Sequence, residues 1–168
     1  HNINGAYEIS QNRFYIENAD HGLELDNAGN NSSERGLVAN NLVSVTGDNA
    51  RGIWLDGSDK VDLYFNSINL YGDDRQGRAL YISGGNDVRS LNNIATNKAG
   101  GYALYVSNAG AISASDYNAY YSSGATLAYW ENDMADLAAL RNASLKEQNS
   151  FTLAPLFNSN TDLHTNQV

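Results

Sequence analysis

Four short segments, GLELD (22–26), GIWLD (52–56), ALYIS (79–83) and ALYVS (103–107), share one pattern: a small residue, an apolar one, a variable one, a second apolar one, then Asp or Ser. Read as strands, they turn the apolar pair inward and the residue between outward, so Glu24, Trp54, Tyr81 and Tyr105 recur at one outward position. A row of aromatic rings can hold sugars, whose C–H faces stack on rings while tyrosine hydroxyls and nearby acids meet their hydroxyl groups. With the small residues Gly52, Ala79 and Ala103 beside them, the rings would form a flat apolar stripe. His21, Arg51, Arg78 and Tyr102 stand immediately before the same strands. The candidate ligand-binding residues are therefore Glu24, Arg51, Trp54, Arg78, Tyr81 and Tyr105, facing a polysaccharide or another surface protein. The competing expectation is that residues 125–168, which include Tyr129 and Trp130, fold back and bury the stripe.

Other chemistries find less support. The chain has no cysteine, which excludes thiol nucleophiles, disulfides and Cys-ligated zinc. His1, His21 and His164 are far apart and lack metal-ligand spacing, so no metal site and no resident cofactor are expected. No nucleophile elbow supports Ser-His-Asp catalysis. Glycoside hydrolysis needs two facing carboxylates, and Glu24, Asp26 and Asp56 keep that reaction open if their strands are neighbours. A net charge of −9 and a pI near 4.5 oppose nucleic acid, which binds through clustered Lys and Arg. A neutral glycan or a basic partner is easier to accommodate. No apolar run approaches the roughly 20 residues that span a membrane, and HNINGAYEIS at the start lacks the basic-then-apolar pattern of a secretion signal.

A repeat must position these residues. Leu23, Ile53, Leu80 and Leu104, the first apolar residues of the four segments, are separated by 30, 27 and 24 positions. A second column runs Asn12, Asn41, Asn66, Asn92 and Asp116. Two and four positions after each come Phe14 and Ile16, Val43 and Val45, Ile68 and Leu70, Ile94 and Thr96, and Asn118 and Tyr120, read as inward pairs. A third, weaker set of strands lies near Leu37, Leu63, Val88 and Ile112. Period-two alternation in short runs broken by Gly, Asn and Asp marks strands, and the 24 asparagines and 15 glycines suit many turns. Such short repeats cannot bury their apolar faces alone and must stack. The expected fold is all-β: a parallel β-helix of about five coils with three strands per coil. Its asparagine column reads as a ladder, because a carboxamide both donates and accepts and can bond copies of itself about 4.8 Å above and below.

The coils GIWLDGSD (52–59) and FNSINLYG (65–72), and the end of the chain, SDYNAYYSSG (115–124), a short helix, then FTLAPLFNSNTDLH (151–164), carry a resemblance. The chain resembles the right-handed parallel β-helix proteins that include pectate-lyase-like enzymes and large secreted bacterial surface proteins. In that family Asp-Tyr-Asn marks the last regular coil and Asp-Pro-Leu-Phe a later strand; here Ala154 stands before Pro155 in place of Asp. The resemblance implies right-handed winding and a secreted or cell-surface location. It implies a non-catalytic scaffold or adhesin module that binds polysaccharide, forming the C-terminal part of a longer chain. It also implies an alternative, a polysaccharide lyase or glycoside hydrolase acting on extracellular glycans. In lyases of this fold an Arg or Lys removes the proton beside a uronate carboxylate, and calcium held by carboxylates acidifies that proton. Arg51, Arg78 and Arg89 would supply the base and Asp56, Asp59 and Asp62 the calcium ligands, so calcium is expected only under that alternative. DGSDKVD does not have EF-hand spacing.

Residues 1–124 read as coils and 125–168 as a helix with closing strands packed on the last coils. Asn132 or Asp133 is expected to cap the helix, Asp136 to favour its positive end, and Met134, Leu137 and Leu140 to share its apolar face. This segment should cover strand edges that the last coil would otherwise expose.

Overall fold

The computed structural model describes residues 5–165, so His1 lies outside the described residues. The first coil comprises β1 (Tyr7–Ser10), β2 (Arg13–Glu17) and β3 (His21–Asp26). The second has β4 (Gly36–Ala39), β5 (Leu42–Thr46) and β6 (Arg51–Asp56); the third has β7 (Val61–Tyr64), β8 (Ser67–Leu70) and β9 (Arg78–Ile82). The fourth has β10 (Val88–Leu91), β11 (Ile94–Asn97) and β12 (Tyr102–Val106); the fifth has β13 (Ile112–Asp116), β14 (Ala119–Ser122) and β15 (Ala128–Trp130). β16 (Asp133–Met134), α1 (Leu137–Ser144) and β17 (Phe151–Thr152) follow. Hydrogen bonding orders them as β1-β4-β7-β10-β13 in sheet A, β2-β5-β8-β11-β14-β17 in sheet B and β3-β6-β9-β12-β15-β16 in sheet C. Each coil thus gives one strand to each sheet, and the chain is a parallel β-solenoid of five turns with one short helix. The right-handed winding that parallel crossovers favour fits this order. No helix among the described residues is long and apolar enough to cross a membrane.

The core follows from register. Leu23, Ile53, Leu80 and Leu104 pair in sequence along sheet C, as do Leu25, Leu55, Ile82 and Val106. Ala128 and Trp130 close these two columns at the fifth coil, so Trp130 is a core residue. Val43, Val45, Ile68 and Leu70 of sheet B and Val38, Leu63 and Val88 of sheet A fill the remaining interior. The small residues before these columns are inside as well, which corrects the expectation that they flank the rings. Gly52, Ala79 and Ala103 are buried where sheet B turns into sheet C. A Cβ on Gly52 would lie 2.2 Å from Ile68 Cγ2 and 2.5 Å from Ala79 O, so nothing larger than hydrogen fits there without a shift.

The asparagine ladder is present with a changed membership. Nδ2 donates to the next Oδ1 from Asn12 to Asn41, Asn41 to Asn66 and Asn66 to Asn93, each at 3.0 Å, and from Asn93 to Asn118 at 3.2 Å. Asn92 and Asp116 are not members. Each ladder asparagine follows a residue in the left-handed region: Gln11, Asn40, Phe65, Asn92 and Tyr117, with φ between 56° and 58°. Asn92 is that turn residue, favoured there because its short polar side chain tolerates positive φ. The one-residue shift reverses β11: Ala95 and Asn97, in register with Ile68 and Leu70, take the inward positions expected for Ile94 and Thr96.

After the fifth coil β16 turns back antiparallel to β15, with Met134 opposite Ala128. Met134 therefore belongs to a strand and not to the helix, although it is buried with Leu137 and Leu140. The helix cap is Asp136, whose Oδ1 accepts from Ala139 N at 2.8 Å; Asn132 and Asp133 lie ahead of it. β17 extends sheet B by pairing with β14. Residues 153–165 then run across the outer face of sheet B. Asn160 O accepts from Ser44 Oγ and from Asn69 Nδ2, the latter at 3.2 Å, and the Lys98 ammonium lies 5.4 Å over the Phe157 ring.

Candidate ligand-binding face on sheet C

The outward side chains of sheet C form two rows. His21, Arg51, Arg78 and Tyr102 pair in register at the strand starts. Three residues along, Glu24, Trp54, Tyr81, Tyr105 and Tyr129 pair in register on the five coils. All six residues singled out from the sequence therefore share one face, and Tyr129 extends the row. Tyr129 follows Tyr105 by 24 positions, the same step that separates Tyr105 from Tyr81, so its signal is present in the sequence. The three-residue offset between rows reflects two consecutive buried residues in β6, β9 and β12, such as Gly52 and Ile53, which break strict alternation.

The rings are faceted, not flat. Trp54 and Tyr81 stack with centroids 5.7 Å apart and planes 7° apart; Tyr105 and Tyr129 stack at 4.3 Å and 9°. Between these parallel pairs Tyr81 and Tyr105 meet at 90° and 5.2 Å, and Tyr102 packs edge-on against Tyr105 at 5.0 Å. Strands about 4.8 Å apart force such contacts, since rings on adjacent coils must overlap by offset stacking or meet edge to face. The guanidinium of Arg51 lies 4.5 Å over Trp54, and that of Arg78 lies 4.5 Å over Tyr105 and 5.3 Å over Tyr81. Cation–π contact holds both arginines against the rings, and their planar forks keep edges available for hydrogen bonding.

Polar anchors fix the row. Trp54 Nε1 donates to Ser83 Oγ at 3.2 Å, and Ser83 Oγ donates to Asp56 Oδ1 at 2.6 Å. Tyr102 Oη donates to Asp133 Oδ1 at 2.9 Å; burial and this carboxylate raise the Tyr102 hydroxyl above its ordinary pKa. Glu24 lies 3.3 Å from His21 Nε2. Beside Tyr102, at the corner between sheets B and C, is a cleft of about 490 Å3 lined by Gly100, Gly101, Gly124, Arg75, Ser123 and Thr126. Nothing in the repeat pattern marks this cleft, because it is made by backbone close approaches between turns: a Cβ on Gly101 would fall 2.2 Å from Gly77 O and one on Gly124 2.1 Å from Gly100 O.

The expected burial of the row by the C-terminal segment is not what the chain does. Trp54, Tyr81, Tyr105 and Tyr129 remain half-buried, Tyr129 joins the row, Trp130 enters the core, and residues 153–165 cross sheet B. The residues named for lyase chemistry are dispersed. Arg89 lies on β10 in sheet A, and Asp62, also on sheet A, is bound by Arg35 at 2.6 Å. Among the described residues no three acidic or histidine side chains converge as Asp56, Asp59 and Asp62 would have to. Asp26 and Asp56 are neighbours on adjacent coils, with Asp56 committed to Ser83. His164 contacts Asp162 in the segment over sheet B, remote in the fold from His21 on β3. No family model, curated protein or solved structure matches this chain.

Proposed function

We propose that this chain is a non-catalytic extracellular or cell-surface β-helix module of the pectate-lyase-like kind, which acts as a scaffold or adhesin and holds polysaccharide on sheet C. The observation that carries the reading is the open row Trp54–Tyr81–Tyr105–Tyr129 on four successive coils, flanked by Arg51 and Arg78. A row set by backbone register is rigid before any ligand arrives, so binding loses little side-chain entropy. Its rings offer partial faces to sugar C–H groups while hydroxyls and guanidinium edges face sugar oxygens.

The test is titration of acidic and neutral polysaccharides while monitoring tryptophan fluorescence. Trp54 is the half-exposed indole and Trp130 the buried one, so ligand on the row changes the Trp54 signal. Unchanged affinity in Trp54→Ala and Tyr81→Ala for every retained polysaccharide would remove the row as the platform. The alternative, a lyase or hydrolase, is measured in the same incubations with calcium present: release of unsaturated or reducing ends establishes it, and the binding-module reading then fails.

A further inference from the structure

Sheet C carries two cations that no described residue neutralises, and the role argued for them rests on this sheet being a glycan-binding face. Arg51 and Arg78 are neighbours in register on adjacent strands. The ion pairs of other arginines lie on sheet A, where Arg35 binds Asp62 and Asp87 and Arg89 lies 3.8 Å from Asp87. Among the described residues no carboxylate lies within 4.0 Å of either Arg51 or Arg78, although the chain has 19 acidic residues against 10 Lys and Arg. The Nε atoms of both are buried without a hydrogen-bond partner. Like charges directly opposite on neighbouring strands repel, and buried donors without acceptors are costly. An oxyanion seated between the accessible ends of the two forks relieves the repulsion.

The surroundings limit how many anions can sit there. Glu24 lies on the next coil, and Asp133 is bonded to Tyr102 at the other end of the arginine row. Charges interact across roughly 8 Å at physiological ionic strength. A second anion farther along the row would face Glu24 at one end and Asp133 at the other. A polymer charged at every sugar gains at one position and is repelled at the next.

We infer that Arg51 and Arg78 together bind a single oxyanion on an otherwise neutral saccharide, the carboxylate of one acidic sugar or one sulfate ester, and that the surface discriminates against densely charged polyanions. Tyr102 is the next position in the arginine row and forms one wall of the 490 Å3 cleft.

A dextran series isolates charge from backbone chemistry: unsubstituted, lightly carboxymethylated, heavily carboxymethylated and lightly sulfated dextran, titrated calorimetrically. Lightly substituted polymer should bind about ten-fold more tightly than either neutral or heavily substituted dextran, the gain expected for a charge-assisted contact. The carboxymethyl and sulfate arms tell which oxyanion is preferred. Arg51→Gln and Arg78→Gln should each erase the gain with an unchanged circular dichroism spectrum, and Arg78→Lys should restore only part of it. Tightest binding by the heavily substituted polymer, equal binding of neutral and lightly charged dextran, or no binding by any member overturns the inference. Neutral polysaccharide binding that depends on Trp54 but ignores charge leaves the glycan reading standing; loss of all polysaccharide binding removes both.

Discussion

Asn118 passes the end of the asparagine ladder to Glu147: its Nδ2 donates to Glu147 Oε2 at 3.2 Å. Glu147 is fully buried and accepts further bonds from Ser115 Oγ, Ser150 Oγ and, at 3.0 Å, Tyr120 Oη, and among the described residues it has no ion pair. A ladder of carboxamides ends in a donor that has no next copy to meet, and a carboxylate surrounded by donors supplies the missing acceptor. Arg141 ties the same loop down, with Nε donating to Glu147 O at 2.8 Å and a second bond to Ser150 O. Glu147 thus ties the C-terminal cap to the fifth coil, alongside the pairing of β17 with β14 and the bonds of Asn149 to Asp116.

Glu147→Leu should destabilise the protein by about 4 kcal/mol, because the donors of Ser115, Asn118, Tyr120 and Ser150 would be buried without acceptors. Glu147→Gln should cost about 2 kcal/mol, since its amide would face at least one donor. The urea midpoint at constant slope measures both. A smaller loss for Leu than for Gln would contradict the acceptor role.

The ladder itself should weaken unevenly along its length. Asn66 accepts from Asn41 N and Nδ2 and donates to Val38 O and Asn93 Oδ1, all within 3.1 Å and buried. Asn66→Ala should therefore cost about 3 kcal/mol. Asn12 is exposed at the end of the column and donates to Ser10 O and Asn41 Oδ1. Asn12→Ala should cost under about 1 kcal/mol. Equal effects in urea unfolding would show that position in the stack does not matter.

Much of this arrangement is legible in the sequence, and the departures have physical causes. The columns through Leu23, Ile53, Leu80 and Leu104 are readable because a stacked core repeats residue type at fixed spacing. The candidate face comes with them, since register alone aligns Trp54, Tyr81 and Tyr105. Asn92 reads as a ladder member because asparagine suits both the ladder and the left-handed residue before it, and two adjacent asparagines occur there. A period-two reading puts Gly52 outside because it cannot show two consecutive inward residues. The course of residues 153–165 is hidden, because contacts such as Asn160 with Ser44 follow no periodicity.

Acid should loosen the outer ties before the core. Asp87 is held below its ordinary pKa by the hydroxyl of Ser113 and by Arg35; Asp162 is lowered to about 2 by bonds from Asn158 and His164. Asp116 is lowered too, because bonds from Asn149 and Tyr117 outweigh its desolvation. A carboxylate whose folded pKa is depressed contributes stability that is complete above its unfolded value and is lost as pH falls through its folded value. The melting temperature should therefore be level above about pH 5 and decline from about pH 4 toward pH 2. An unchanged melting temperature across that window would mean these contacts contribute nothing.

Two turn residues stand where an L side chain is strained. Phe65 and Tyr117 precede ladder asparagines with φ of 57° and 58°, and the two residues are 57% and 55% exposed, so burial offsets little of the backbone cost. Asn40 and Asn92 hold the equivalent positions in other coils. A bulky residue in the left-handed region costs roughly 1–2 kcal/mol, and asparagine less. Phe65→Asn and Tyr117→Asn should each raise stability by about 0.5–1 kcal/mol, and together by nearly the sum, because they lie two coils apart. Thermal unfolding of the two single variants and the double checks this. A loss of stability in Phe65→Asn would mean that its exposed ring holds a contact on the outer surface worth more than the relief of backbone strain.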